Sequence, residues 1–356
     1  MKRPYLSHFT AIARDYEIAI RASVSLKEAP GVNAKGKELQ KWAPSFPLQS
    51  LNLLSSDETR VLIIGLTRDN IKVYQRNFDS DRYGSFDLKI PAIANDQRIE
   101  VLQIYDVGQK PGLQLLLGTF FPIKMLGSSK IVVSDFDKTL VDTAYSTLQD
   151  MYYSLSRPIT HFPTVTPSVE LLKQCIEKDY QAFILSASPH FYENAIRDWL
   201  YQNEIYTASI FLKDYRKVFS FSEAVLTPKD LKTQGFYKLN HLVNILLMTG
   251  IPDQLILMGD GFESDSTIYL TMRAILVDGV EPWKAWNDIK RQQEFRLNTQ
   301  QNTRFLNKFY QLGTLLKNKE KRPEVDIHIR VKAETKIKIG IPQLADKRDV
   351  LNIYQA

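Results

Sequence analysis

The stretch Ile131-Val132-Val133-Ser134-Asp135-Phe136-Asp137-Lys138-Thr139-Leu140 constrains this chain more than any other. A short run of β-branched apolar residues predicts a buried strand, and here the run stops at two aspartates that flank one aromatic ring. In a parallel sheet the carboxyl end of a strand opens onto the ligand crevice. At strand spacing, residues i and i+2 share a face, so Asp135 and Asp137 are expected to project into one cleft. Two carboxylates that close repel unless a cation or a shared proton relieves them. A metal-assisted site and a nucleophile with an acid/base partner both supply that relief. A solvated turn after a strand is the plain alternative.

The 356 residues leave room for about two domains. With 44% hydrophobic and 24% charged residues, the composition is that of a folded protein and excludes a disordered chain. The single cysteine, Cys175, cannot form an intramolecular disulfide and leaves no cysteine cluster for zinc, which fits a reducing compartment. The net charge of +6 comes from 46 basic against 40 acidic residues dispersed along the chain. Without a nucleic-acid-binding motif, that balance predicts a solvated basic surface and no nucleic-acid partner. Met1-Lys2-Arg3-Pro4 is basic, but no apolar core of a signal peptide follows it. The most apolar window, 113–126, is interrupted by Gly118, Pro122 and Lys124 and is too short to span a bilayer. A cytoplasmic protein without a transmembrane segment is expected.

Four regions follow from the patterning. In 1–47, Phe9, Ile12, Ala13, Tyr16 and Ile20 recur at helical spacing and predict a helix over 8–25, packed on its own chain rather than on a membrane. Pro30, Gly31, Gly36, Pro44 and Pro47 then mark a connector. In 48–127, strand-like runs at 61–66, 71–74, 84–90 and 99–104, separated by turn residues, predict a small β-sandwich with no catalytic constellation. In 128–318, buried strands at 131–134, 182–185, 210–212, 255–258 and 274–277 alternate with helices at 168–178, 191–203 and 238–249. That grammar predicts an α/β, doubly wound parallel sheet. Trp286, Ile289, Phe305, Leu306, Phe309, Leu312 and Leu316 keep helical spacing and are expected in the core. In 319–356, the alternation from Val325 to Val331, followed by Ile337 and Ile339, predicts a basic β-hairpin. Docking of this tail on one of the domains is favoured over contact with an anionic surface.

Three further pieces share the placement of Asp135. Phe183-Ile184-Leu185 runs into Ser186-Ala187-Ser188-Pro189, and Leu255-Ile256-Leu257-Met258 runs into Gly259-Asp260-Gly261-Phe262-Glu263-Ser264-Asp265. Between them, Lys238 stands at a helix start. Capping serines, a surface lysine and acidic helix caps would each explain one piece. Their joint appearance, in this order and always at a strand end or helix start, weighs against chance.

As a set these pieces resemble the four motifs of the haloacid-dehalogenase superfamily. Within it, 128–280 is similar to the phosphatidate phosphatase catalytic-domain family of the actin-patch-associated type, with Leu212-Lys213-Asp214-Tyr215 and Ile268-Tyr269 adding to the likeness. Two positions depart from that family's usual pattern: Lys138 stands where it has an aspartate, and Phe262 where it has a glycine. The resemblance implies a three-layer α/β/α fold with a small β domain upstream. The short spacing between the first two motifs leaves no room for a large cap, so either a small flap at 213–233 or the β domain is expected to cover the site. The resemblance also implies Mg²⁺-dependent phosphomonoester hydrolysis through an aspartyl-phosphate, with phosphatidate or a related lipid phosphate at a membrane surface as the leading substrate. In that scheme the catalytic residues are Asp135 (nucleophile), Asp137 (acid/base), Ser186 and Lys238. The metal ligands are Asp135, Asp137 through its carbonyl, Asp260 and Asp265. Thr139, Ser188, His190 and Arg216 are the substrate-binding candidates. A nucleotide, sugar or protein phosphatase on the same machinery is the second reading. The third is an interaction protein on a retired scaffold, against which four crowded carboxylates argue.

Overall fold

The computed structural model describes residues 2–28, 47, 58–108, 112–143, 153–154, 156–214, 234–333, 337, 339, 344 and 346–356. The chain divides into two compact units, one of 1–126, 147–159 and 190–199, the other of 127–146, 160–189 and 200–356.

The first unit is built from β1 (Lys2–Ala13), β2 (Glu17–Glu28), β3 (Arg60–Leu66), β4 (Lys72–Asp79), β5 (Ser85–Pro91), β6 (Ile93–Ala94), β7 (Gln97–Arg98), β8 (Val101–Asp106), β9 (Leu115–Phe120) and β10 (Ile123–Lys124). One four-stranded sheet runs β10-β1-β2-β5 and another β4-β3-β8-β9, with β6 and β7 as a separate pair. Ile18, Ile20 and Val24 of the first sheet and Val61, Ile63, Leu102 and Ile104 of the second are buried in one apolar cluster.

The helix expected over 8–25 is not formed. That stretch lies in β1 and β2, which pair antiparallel around a turn in which the Arg14 N–H donates to the Glu17 carbonyl at 2.8 Å. The register shifts between Ser7 and Thr10, where His8 takes the left-handed φ of 52°. Ile18, Ala19 and Ile20 are buried in succession, so the in–out alternation of a strand is erased and the helical spacing is a coincidence. The deciding hydrogen bonds come from β5, more than sixty residues away, as in the pairing of Ile20 with Leu88.

The second unit contains β11 (Lys130–Asp135), α1 (Thr166–Glu177), β12 (Gln181–Pro189), β13 (Ser209–Lys213), α3 (Gln234–Thr249), β14 (Gln254–Asp260), α4 (Asp265–Leu276), α5 (Pro282–Ile289), α6 (Thr299–Lys317), β15 (Glu324–Val331) and β16 (Leu351–Gln355). Helix α2 (Glu193–Gln202) falls mostly in the first unit. The six strands form one sheet in the order β13-β12-β11-β14-β15-β16, and every neighbouring pair is parallel. β11 is central, and Ile131, Val132 and Val133 are each fully buried, so β-branched side chains pack on both faces. Asp135 pairs with Leu185, one residue before Ser186, and Asp260 is the last residue of β14. Parallel register thus delivers these three side chains to the same edge.

Two further expectations are corrected here. Residues 274–276 end α4 instead of forming a strand: nearly every residue of α4 is buried, so the helix has no polar stripe and a short apolar run inside it mimics a strand. Among the described residues the C-terminal segment forms no hairpin. β15 pairs parallel with β14, and β16 pairs parallel with β15, so the tail completes the α/β sheet. The connector over 29–46, the flap residues 215–233 and Arg216 lie outside the described residues.

Candidate active site

Asp135 closes β11 with its side chain fully buried. Its Oδ1 lies 3.1 Å from Nζ of Lys238, and its Oδ2 accepts a hydrogen bond from Thr139 Oγ1 at 3.2 Å. Lys238, on the second turn of α3, is itself buried and also donates to Asp265 Oδ1 at 2.7 Å and Glu263 Oε2 at 3.2 Å. Asp265 opens α4 and turns its other oxygen back to the Asp260 N–H at 3.1 Å. Asp260 Oδ1 accepts from the amides of Phe262 (2.7 Å) and Glu263 (2.9 Å), folding the loop around its own carboxylate.

One carboxylate oxygen from each of Asp135, Asp260 and Asp265 lies within 4.8 Å of the other two. Burial, followed by the charges of Asp265 and Glu263, raises the Asp260 pKa to about 8. Burial and the neighbouring carboxylates likewise lift Asp135 well above the ordinary range, against the pull of Lys238. Burial works against the Lys238 charge, but the surrounding carboxylates outweigh it and hold its pKa well above the usual lysine value. Glu263 is also penalised by burial, yet Lys238 and Lys138 draw it down to about 2. Two ammonium groups, those of Lys238 and Lys138, thus face the four carboxylates of Asp135, Asp260, Glu263 and Asp265. Among the described residues Asp260 Oδ2 is buried without a hydrogen-bond partner, and Asp135 Oδ1, although close to Lys238, is not aligned for one. Asp135, Asp260 and Asp265 are thus an all-oxygen donor set able to hold a hard divalent cation.

Asp137 lies just past the strand and is held differently. Its Oδ2 accepts from Ser186 Oγ (2.7 Å) and Ser188 Oγ (2.6 Å), and its Oδ1 accepts from Thr143 Oγ1 (3.0 Å). The Ser188 amide donates to Ser186 Oγ at 2.9 Å, which fixes that hydroxyl in turn. The structure therefore brings together Asp135, Asp137, Thr139, Ser186, Ser188, Lys238, Asp260 and Asp265. His190 belongs to the first unit, buried with its ring 5.6 Å from that of His8.

Three participants carried no role in the sequence reading. Glu263 bridges Lys238 and Lys138, the latter at 3.0 Å from its Oε1; its signal was the surplus acid in the 259–265 loop. Lys138, where the related family has an aspartate, is thus the second cation of the cluster. Thr143 had no local signal.

Gly259 shows how little room the cluster leaves. A Cβ there would come within 2.6 Å of Asp265 Oδ2 and 2.7 Å of Tyr269 Cε2. Gly259→Ala is expected to cost about 1–3 kcal/mol by overpacking and to displace Asp265. Urea denaturation checks the first effect, and wild-type stability in the variant would contradict it.

A parallel α/β sheet here gathers carboxylates, hydroxyls and a buried lysine at its strand ends, the place where ligands bind in open α/β sheets. Residues 130–280 match the family model described as phosphatidate phosphatase APP1, catalytic domain, which bears out the resemblance read from the motifs and implies a phosphatase. No curated protein matches the sequence. Among solved structures, similarity is found to β-glucuronidase of Parabacteroides merdae, at 8% identity over 92% of this chain and 34% of that one, with a TM-score of 0.27. Ruminococcus gnavus β-glucuronidase gives 9% identity over 99% of this chain and 52% of that one, with a TM-score of 0.27. The β-D-glucuronidase for Dictyoglomus thermophilum gives 10% identity over 93% and 45%, with a TM-score of 0.26. The chain spans about a third to a half of the length of these proteins, and similarity at this level carries no argument.

Proposed function

We propose that the second unit is a haloacid-dehalogenase-type phosphomonoesterase that requires Mg²⁺ and acts on phosphatidate or a related lipid phosphate. The observation that carries the reading is the buried Lys238 set among Asp135, Glu263 and Asp265, beside an Asp137 aimed by three hydroxyls. Asp135, Asp260 and Asp265 would hold Mg²⁺, whose charge would offset the excess that otherwise favours protonated carboxylates and would polarise the phosphoryl group.

In this scheme a carboxylate oxygen of Asp135 attacks phosphorus, and the bond from phosphorus to the alcohol oxygen breaks. Asp137 delivers the proton that the departing alkoxide needs. Asp137 then takes a proton from water, the resulting hydroxide attacks phosphorus, and the bond to Asp135 breaks to release inorganic phosphate. Lys238 offsets the charge shared by the nucleophile and the phosphoryl oxygens. Ser186, Ser188 and Thr143 hold Asp137 in reach, and Thr139 orients Asp135. The lipid assignment rests on the matched family. No helix among the described residues is long and apolar enough to cross a membrane.

The test is hydrolysis of p-nitrophenyl phosphate with Mg²⁺ and after chelation, then of phosphatidate in vesicles against soluble phosphomonoesters. Chelation is expected to lower the rate by at least about 10²-fold. Equal activity in chelator would refute the metal requirement, and vesicles left unhydrolysed while soluble esters are cleaved would refute the lipid substrate.

A further inference from the structure

Arg330 stands on β15, beyond the matched segment that ends at residue 280. Its side chain is only 3% exposed. Nη1 donates to the main-chain carbonyl of Lys138 at 2.5 Å and reaches Asp142 Oδ1 at 3.4 Å, while Nη2 donates to the Ala356 carbonyl at 3.1 Å. The carbonyl of Arg330 accepts from the Gly261 N–H at 2.9 Å. One residue thus touches the main chain of both acidic loops.

What it grips is unusual. Lys138, between Asp137 and Thr139, has a φ of 60°, a left-handed conformation uncommon for a residue with a side chain. Its N–H is tied to the Val141 carbonyl at 2.7 Å, and its carbonyl is tied to Arg330. The peptide is planar and trans, so fixing that carbonyl also fixes the direction of the Thr139 N–H. Thr139 in turn bonds Asp135. Asp142 orients the guanidinium, and Lys332 donates to its other oxygen at 2.9 Å. Nε of Arg330 is buried without a hydrogen-bond partner among the described residues. A buried guanidinium left partly unsatisfied is a costly way to fill space.

We propose that Arg330 is a positioning residue that locks the 135–139 loop against the 259–261 loop, so that the centre is completed by a strand outside the matched catalytic segment. The kinetic consequence rests on the phosphomonoesterase reading; the mechanical one does not. A group that only braces the sheet would, when changed, loosen β11 and the loop together. A positioning group loosens the loop alone and lowers kcat with little change in KM.

The test compares the full chain with Arg330→Lys and Asp142→Asn by amide hydrogen exchange and by p-nitrophenyl phosphate kinetics in Mg²⁺. Arg330→Lys keeps the charge but loses the two-armed grip. Exchange over 136–141 is expected to rise at least about tenfold while 131–134 stays as in the wild type. Turnover should fall about 10–100-fold with KM within about threefold. Asp142→Asn should move both readouts in the same direction by about threefold, and it decides the matter if Arg330→Lys does not fold. Unchanged loop exchange, an equal rise in β11, or wild-type kcat with a loosened loop would each overturn the proposal. If the wild-type chain hydrolyses no phosphomonoester, the phosphatase reading falls while the exchange data still decide the clamp.

Discussion

Asp135→Asn is expected to lower phosphomonoester turnover by at least about 10⁴-fold, because an amide cannot form the acyl-phosphate on which both steps of the proposed mechanism would depend. The same substitution should leave the fold intact or firmer. Asp135 is buried among Asp260, Asp265 and Glu263, and these with burial disfavour its charged form. A neutral amide of the same shape removes that repulsion, although it also removes an ion-pair partner of Lys238. Loss of activity without loss of stability separates a chemical role from a structural one, and it is the pattern expected where function is retained at the expense of stability. Initial rates and thermal melts of the two proteins decide this. Activity within about tenfold of the wild type would remove Asp135 from the nucleophile's place.

Lys238→Met has the largest expected effect on stability. It deletes the cation beside Asp135, Glu263 and Asp265, and stranding buried charges in this way typically costs about 3–5 kcal/mol. The loss should depend on pH. Asp260, raised to about 8 from an ordinary 3.8, binds its proton more tightly folded than unfolded. Its contribution is therefore complete below about pH 4 and is lost as pH climbs towards 8. Glu263, drawn down to about 2, acts in the opposite sense, and its contribution disappears only as pH falls from about 4.5. In chelator, between pH 5 and 8, the wild type should lose stability with rising pH by at most about 1.4 kcal/mol per pH unit for this one proton. Lys238→Met should steepen the slope, since Lys138, which pairs with Glu263, is then the one cation left facing the carboxylates among the described residues. Urea unfolding at several pH values measures it, and a flat profile in both proteins would mean that the carboxylates are not crowded in solution.

The centre was legible in the sequence because its parts sit where local pattern and chemistry coincide. Ile131, Val132 and Val133 read as a buried strand and form one, and Asp135 ends it; Ser186 and Asp260 follow from the same grammar once the sheet is parallel. Lys238 was recognisable through the set and not by itself. The first two strands were not legible. Their identity depends on pairing with β5, and burial at successive positions hides the period of two. The end of α4 misleads for a related reason, since a helix buried all round shows no polar face. Arg330 was hidden more deeply. It sits in a run already marked as basic and strand-like, but its use depends on β15 lying next to β14, a neighbour relation that no local window contains.

Truncation has a consequence that the sheet order makes plain. β14 runs alongside β15 over its whole length, Gln254 opposite Glu324 through Asp260 opposite Arg330, and β15 is shielded in turn by β16. A polypeptide ending at residue 280 would present the apolar flank of β14 as a bare row of amides and carbonyls. Such an edge recruits strands from other molecules and invites aggregation. The last two strands therefore cover an edge as well as supply Arg330, and a fragment that keeps both the covered edge and the carbonyl that Arg330 Nη2 binds has to extend through residue 356.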